Sequence, residues 1–141
     1  MGRKILFVLM GISVGLSGCD RLSEKDKMEM IAKCDIEARK KFKEEEDFSE
    51  YGYIKVTVTT NFSFSDNRCY TLVQTHLTPS EFVRQKLSFA KDETIKVLYD
   101  GLTKKELIYV STSGTVTGEN VATGATVEQG SNLIDVHMNR P

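Results

Sequence analysis

Three kinds of side chain in this sequence could do chemistry: the three cysteines, the two histidines and one dense run of acids. The cysteines stand at 19, 34 and 69. A thiolate can take an acyl group, close a disulfide, ligate a metal or attack an electrophile. There is no Cys-x-x-Cys spacing, and neither His76 nor His137 has a ligand partner at zinc-like spacing. His76 ends an alternating run and reads as a surface or edge residue. Glu44-Glu45-Glu46-Asp47 could hold a cation. It falls where a helix should end, at the negative pole of the dipole, and reads better as a solvated, fraying end. The hydroxyls are many, but no GxSxG elbow or SxxK accompanies them. No P-loop or GxGxxG occurs either. Gly114, Gly118, Gly124 and Gly130 lack the spacing of a phosphate cradle and mark turns. Asp66 and Asp100 also sit at turns, where backbone hydrogen bonds explain them. No catalytic set, cofactor or metal is therefore expected.

The surroundings of Cys19 give it one particular chemistry. Arg3 and Lys4 precede an apolar run, Ile5 to Leu16, followed by small residues. The run is too short to span a bilayer, which takes roughly 20 apolar residues. A charged start, a short apolar core and small residues form a secretory signal peptide. Leu16-Ser17-Gly18-Cys19 resembles the lipobox of bacterial lipoproteins, in which a branched apolar residue and two small ones present a cysteine for lipidation. The resemblance implies that residues 1–18 are removed and that Cys19 becomes an N-terminus carrying two or three acyl chains. One chain binds a membrane marginally, and two give stable anchoring. Asp20 resembles the residue that retains a lipoprotein at the inner membrane in enteric-type bacteria. The expected address is the periplasmic face of the inner membrane, with the outer membrane as the alternative. Asp20-Arg21-Leu22-Ser23 is then the whole tether in residues 19–23, about 15 Å even when extended. It would hold the body against the bilayer.

Removing residues 1–18 leaves 123 of the 141 residues, the tether and then one domain's worth, the body from 24 to 141. It also takes away Arg3 and Lys4, so 17 of the 19 basic side chains remain against 20 acidic ones, a balance of −3. Nucleic-acid binding, which shows as a basic patch or stripe, is not expected. With Cys19 given to lipid, Cys34 and Cys69 remain in an oxidising compartment, and two cysteines allow one intramolecular pairing. Such a disulfide would close a loop of about 36 residues, worth about 4 kcal/mol in the chain-entropy treatment. Two buried free thiols, or a redox or metal pair, are the alternatives.

The elements that would position these residues are legible in part. Ser23-Glu24-Lys25-Asp26 opens a helix running from about 24 to 46. Met28, Ile31, Cys34, Ala38 and Phe42 share one face at spacings of three and four, which turns Cys34 to the core. Residues 54–64 alternate as a strand, Ser65-Asp66-Asn67 turns, and residues 68–75 return, with Cys69 near the hairpin tip. Thr78-Pro79-Ser80-Glu81 opens a short helix with threonine as its cap. Residues 95–99 and 106–110 form a second strand pair around Asp100-Gly101. Residues 111–132, rich in small residues, read as two edge strands or an irregular loop, and Leu133-Ile134-Asp135-Val136 as a last strand. The expected class is α+β: an N-terminal helix packed on an antiparallel sheet, with one disulfide.

With the cysteines placed, residues 28–111 resemble a loose group of small bacterial lipoproteins and periplasmic proteins of unknown function. The matching residues are Asn61-Phe62, Asn67-Arg68-Cys69-Tyr70 and Val97-Leu98-Tyr99-Asp100. The resemblance implies the same helix-to-strand disulfide and α+β body. The leading functional expectation is a membrane-anchored, non-enzymatic module that binds another envelope protein, with the 111–132 tail offering a strand to a partner's edge. The alternatives are a lipoprotein that excludes phages or plasmids or inhibits lysozyme, and one that binds a small ligand or lipid.

Overall fold

The computed structural model describes residues 22–141; the expected signal peptide at 1–18, Cys19, and Asp20 and Arg21 of the expected tether lie outside the described residues. Helix α1 spans Glu24–Lys41. It starts where the sequence says: Ser23 Oγ accepts from the Asp26 N–H at 3.2 Å, and Asp26 Oδ2 accepts from the Ser23 N–H at 3.2 Å. The helix stops earlier than the expected 46. Phe42 is extended, and Arg39, Lys40 and Lys41 fill the last turn. Cations favour a helix C-terminus and acids oppose it, so the chain leaves the helix before reaching Glu44.

The acidic run is then not a frayed helix end. It enters β1, Glu45–Ser49, the first strand of a six-stranded antiparallel meander. The others are β2 (Gly52–Ser63), β3 (Arg68–Pro79), β4 (Glu93–Asp100), β5 (Glu106–Ser111) and β6 (Val116–Gly118), each beside its sequence neighbours. Helix α2, Glu81–Lys86, links β3 to β4. Its cap is Ser80 rather than Thr78: Ser80 Oγ accepts from the Val83 N–H at 3.3 Å and donates to Glu50 O at 2.7 Å. Thr78 and Pro79 instead finish β3, opposite Tyr53 and Gly52.

The largest correction concerns the C-terminal region. Residues 133–136 belong to helix α3, Val127–Met138, and not to a strand. Thr126 caps it through the Gln129 N–H at 3.3 Å, and Gln129 Oε1 accepts from the Thr126 N–H at 2.8 Å. Thr-x-x-Gln is a capping box, embedded here in a Gly- and Thr-rich run. Val127, Gly130, Ile134 and Met138 then recur at helical spacing. Of residues 111–132, expected as two edge strands or an irregular loop, 116–118 are a short strand, β6, and 127–132 are helix.

The registers place the two long helices on opposite faces, because directly paired residues share a face and neighbours along a strand alternate. Tyr70 shares one face with Asn61, Leu72 and Leu98, and through Leu98 with Ile108. Ile134 of α3 packs there with Tyr70, Leu98, Leu107, Ile108 and Val110, forming the main core. Gly130 allows the close approach: a Cβ there would lie 2.6 Å from Val116 Cγ1 and 2.7 Å from Val110 Cγ2. Cys69 shares the other face with Phe62, Thr60, Thr71 and Tyr99. There α1 docks through Cys34, Ala38 and Phe42, whose ring lies 4.7 Å from Tyr99. The fold is α+β, as expected, with a third layer supplied by α3.

The Cys34–Cys69 disulfide joins α1 to β3, with Cα atoms 5.5 Å apart, and both residues are buried. The helix face expected to be apolar throughout is covered only in its second half. Met28 and Ile31 are 70% and 49% exposed, and Ile31 borders an open cleft with Phe62 and Phe64.

Candidate interaction surface

Helix α1 covers only one end of the Cys69 face. Beyond it, β2 presents Ile54 and Val56, β3 presents Val73 and Leu77, β4 presents Ile95, and β5 presents Tyr109. These side chains are half-buried or exposed, and none belongs to the core under α3. The equivalent stretch of the Tyr70 face carries Lys55, Thr57, Gln74, His76, Thr94 and Lys96. An antiparallel sheet with one solvated face normally puts polar residues there, and the Tyr70 face does so where α3 ends. The Cys69 face is mainly apolar there, interrupted by Thr75 beside Val56 and Ile95 and by Glu93 beside Leu77. Apolar surface left open in this way is a candidate for binding.

The apolar face runs into a groove of about 380 Å³ at the end away from the disulfide, lined by Tyr51, Ile54, Leu77, Pro79, Val83 and Leu87 among others. The β1–β2 turn and α2 hold it open, tied by the Ser80 N–H to Tyr51 O bond at 2.9 Å. Along one side runs β1, an edge strand whose residues are all exposed. Its backbone polarity can be worked out. The Val58 N–H points toward the β1 side of β2, where it donates to Glu44 Oε1 at 3.3 Å. Period two then turns the N–H groups of Val56 and Ile54 the same way, onto Glu45 and Asp47. Glu46 and Phe48 therefore point their own N–H and C=O groups outward. Phe48 is 75% exposed and stacks on Tyr53 with ring centroids 4.4 Å apart.

The ionisable groups cluster elsewhere, at the β2–β3 tip. The Tyr70 hydroxyl donates to Asp66 Oδ2 at 2.8 Å, and Arg140 donates to both Asp66 oxygens at 3.1 and 2.9 Å. These two partners hold the Asp66 carboxyl below its usual range. Asp100 is pushed up by burial. The N–H groups of Thr103 and Leu102, the Thr103 hydroxyl and nearby Arg68 outweigh that and leave it lowered. His137 lies with its ring 5.0 Å from Tyr70, and its Nδ1 has no hydrogen-bond partner among the described residues. Burial first, then Arg140, holds its pKa below the histidine range; Asp66 and Glu119 pull the other way and lose.

A depressed folded pKa means that folding favours the deprotonated form. The His137 contribution is thus complete above about pH 6.5 and lost as pH falls from there through the folded value. The Asp66 contribution is complete above about pH 3.9 and lost as pH falls through its own lower value. In urea unfolding across pH, stability is expected to decline from about pH 6.5 downward, and His137→Gln to remove that first decline while leaving the one below pH 4. A parallel decline in the variant would acquit His137.

The structure brings Cys34 and Cys69 together and keeps the histidines apart. His76 lies six positions along β3 from Tyr70, so about 20 Å from the residue that His137 packs on. It bonds to Thr94 Oγ1 at 2.9 Å and Gln74 Nε2 at 2.6 Å. Among the described residues no group of three or more His, Cys, Asp or Glu side chains is arranged to hold a metal. No described helix is long and apolar enough to cross a membrane. The 111–132 region, expected to offer a strand, presents only the three residues of β6, with Val116 beneath Gly130 of α3. The longer open edge is β1, whose signal, Tyr51-Gly52 turning the acidic run back onto residues 53–56, passes unnoticed beside four consecutive acids. The chain matches no protein-family model, no curated protein and no solved structure.

Proposed function

We propose that this protein is a lipoprotein of the periplasmic face of the bacterial inner membrane, anchored through Cys19, that binds another envelope protein and performs no catalysis. One observation carries the binding half of this reading: the mainly apolar Cys69 face beyond α1 is left open, where the same stretch of the other face is polar. The anchoring half rests on the signal-like N-terminus and the Leu16-Ser17-Gly18-Cys19 lipobox. Its geometry would be tight. Helix α1 begins at Glu24, so four residues would separate the acylated cysteine from folded structure.

Two measurements test the two halves separately. Cys19→Ala is expected to move the protein from the membrane to the soluble periplasmic fraction; a variant that stays on the membrane would sink the lipid anchor. For binding, a photo-crosslinking residue is placed in cells at Val73 or Tyr109 on the open apolar face, and at Lys96 or Thr57 on the polar one. Discrete protein adducts are expected from the first pair and not from the second. Equal yields from both faces, or none from either, would overturn the assignment. An adduct to a lysozyme or to a DNA-transfer component would direct the same binding surface to inhibition or exclusion.

A further inference from the structure

We infer that the open edge of β1 receives an extended, basic segment of the partner protein as a seventh strand. This rests on the protein-binding reading and adds to it the partner's chemistry and docking mode. Three observations converge on this edge. Glu46 and Phe48 direct unpaired backbone groups outward, the grip that strand addition uses. The edge is strongly acidic. Glu45 and Asp47 lie on the Cys69 face and have no ion-pair partner among the described residues, and Glu46 lies on the other face. Beside it the groove at Tyr51, Leu77, Val83 and Leu87 can take an apolar side chain at the end of the added strand, while Phe48 stacked on Tyr53 offers an aromatic platform on the opposite face.

The charges choose among occupants. Two β1 strands paired antiparallel about their centre would set Asp47 against Asp47, and like charges directly opposite destabilise a ladder. A second copy is therefore disfavoured. An anionic bilayer surface is repelled by the same carboxylates. A strand with lysine or arginine at alternate positions meets Glu45 and Asp47 on one face, and on the other can set a basic residue at Glu46 and an apolar one at Phe48.

The test uses the full-length protein in neutral detergent micelles and two labelled ten-residue peptides, one alternating lysine and valine, the other glutamate and valine. The lysine peptide is expected to bind and to slow amide hydrogen exchange at Glu46 and Phe48; the glutamate peptide is expected to do neither. Glu45→Lys with Asp47→Lys should weaken lysine-peptide binding at least tenfold. Phe48→Pro, which removes one outward N–H, should weaken it more than Phe48→Ala, which removes only the ring. If Phe48→Pro fails to fold, the charge-reversal pair still decides. Binding of both peptides alike, or unchanged exchange at Glu46 and Phe48, would overturn the proposal. In cells, adducts from Val73 or Tyr109 with none from a crosslinker at Phe48 would reject the edge and keep the binding reading. No adducts from any position would reject that reading itself.

Discussion

Replacing both Cys34 and Cys69 by alanine is expected to lower the unfolding free energy by about 4 kcal/mol, measured by urea denaturation. The figure follows from the closed loop of about 36 residues, whose restriction of the unfolded chain the disulfide supplies. It is large against the roughly 5–15 kcal/mol total of a natural domain. Alanine is the right replacement, because a serine hydroxyl would be buried at both sites and add its own penalty. The loss should also be uneven. Without the bond, α1 is held by buried Ala38, the Asp35 bond to Thr60 at 2.8 Å, Phe42 against Tyr99, and Lys41 reaching Leu102 O. Its first half is thinly packed, with Met28 and Ile31 70% and 49% exposed, and helices in proteins draw most of their stability from tertiary packing. Amide exchange in α1 should therefore accelerate before exchange in β3 and β4. An unchanged urea midpoint, or uniform acceleration across the sheet, would show that the helix is held by its packing and not by the bond.

Ile134→Ala is the second large effect, expected at about 2–5 kcal/mol. Ile134 is 0% exposed and touches the centre of the core at Tyr70, Leu98, Ile108 and Val110. These residues come from β3, β4 and β5, so the surroundings can collapse only a little into the space left. Val136 on the outward side of the same helix is 52% exposed, and Val136→Ala should stay within about 0.5 kcal/mol. A loss under 1 kcal/mol for Ile134→Ala would mean that α3 is a peripheral cover and the core closes without it.

These two sites also show what a single sequence reveals. The cysteines could be paired by count, and the long alternation of residues 54–64 announced a strand whose partner carries Cys69. Ser23 marked the start of α1, because a capping box is a local signal. The end of α1 was harder. Helical spacing continues through Phe42, and only the competition between three cations and the acids after them fixes the boundary. Helix α3 is masked in the sequence because Leu133 to Val136 taken alone fits a short strand, and its capping box hides among residues that favour turns. The open apolar face was not legible at all. Alternation says that Ile54, Val56 and Val58 point one way, but how much of that side a helix covers depends on where α1 crosses the sheet. Val58 is buried and Ile54 is not, although they sit four residues apart on the same face.

The meander order has a consequence for how the chain assembles. Every strand pairs with the strand made just before it, so the sheet grows by short loop closures, which favours rapid folding. The pieces arrive in a fixed order along the chain. Both disulfide cysteines are present once β3 has begun, while Ile134 comes more than sixty residues later. The covalent link between α1 and the β2–β3 hairpin can thus close while the Tyr70 face is still bare. During that interval the nascent sheet exposes apolar side chains on both sides. Only the last helix ends that exposure, and it ends it on one side alone.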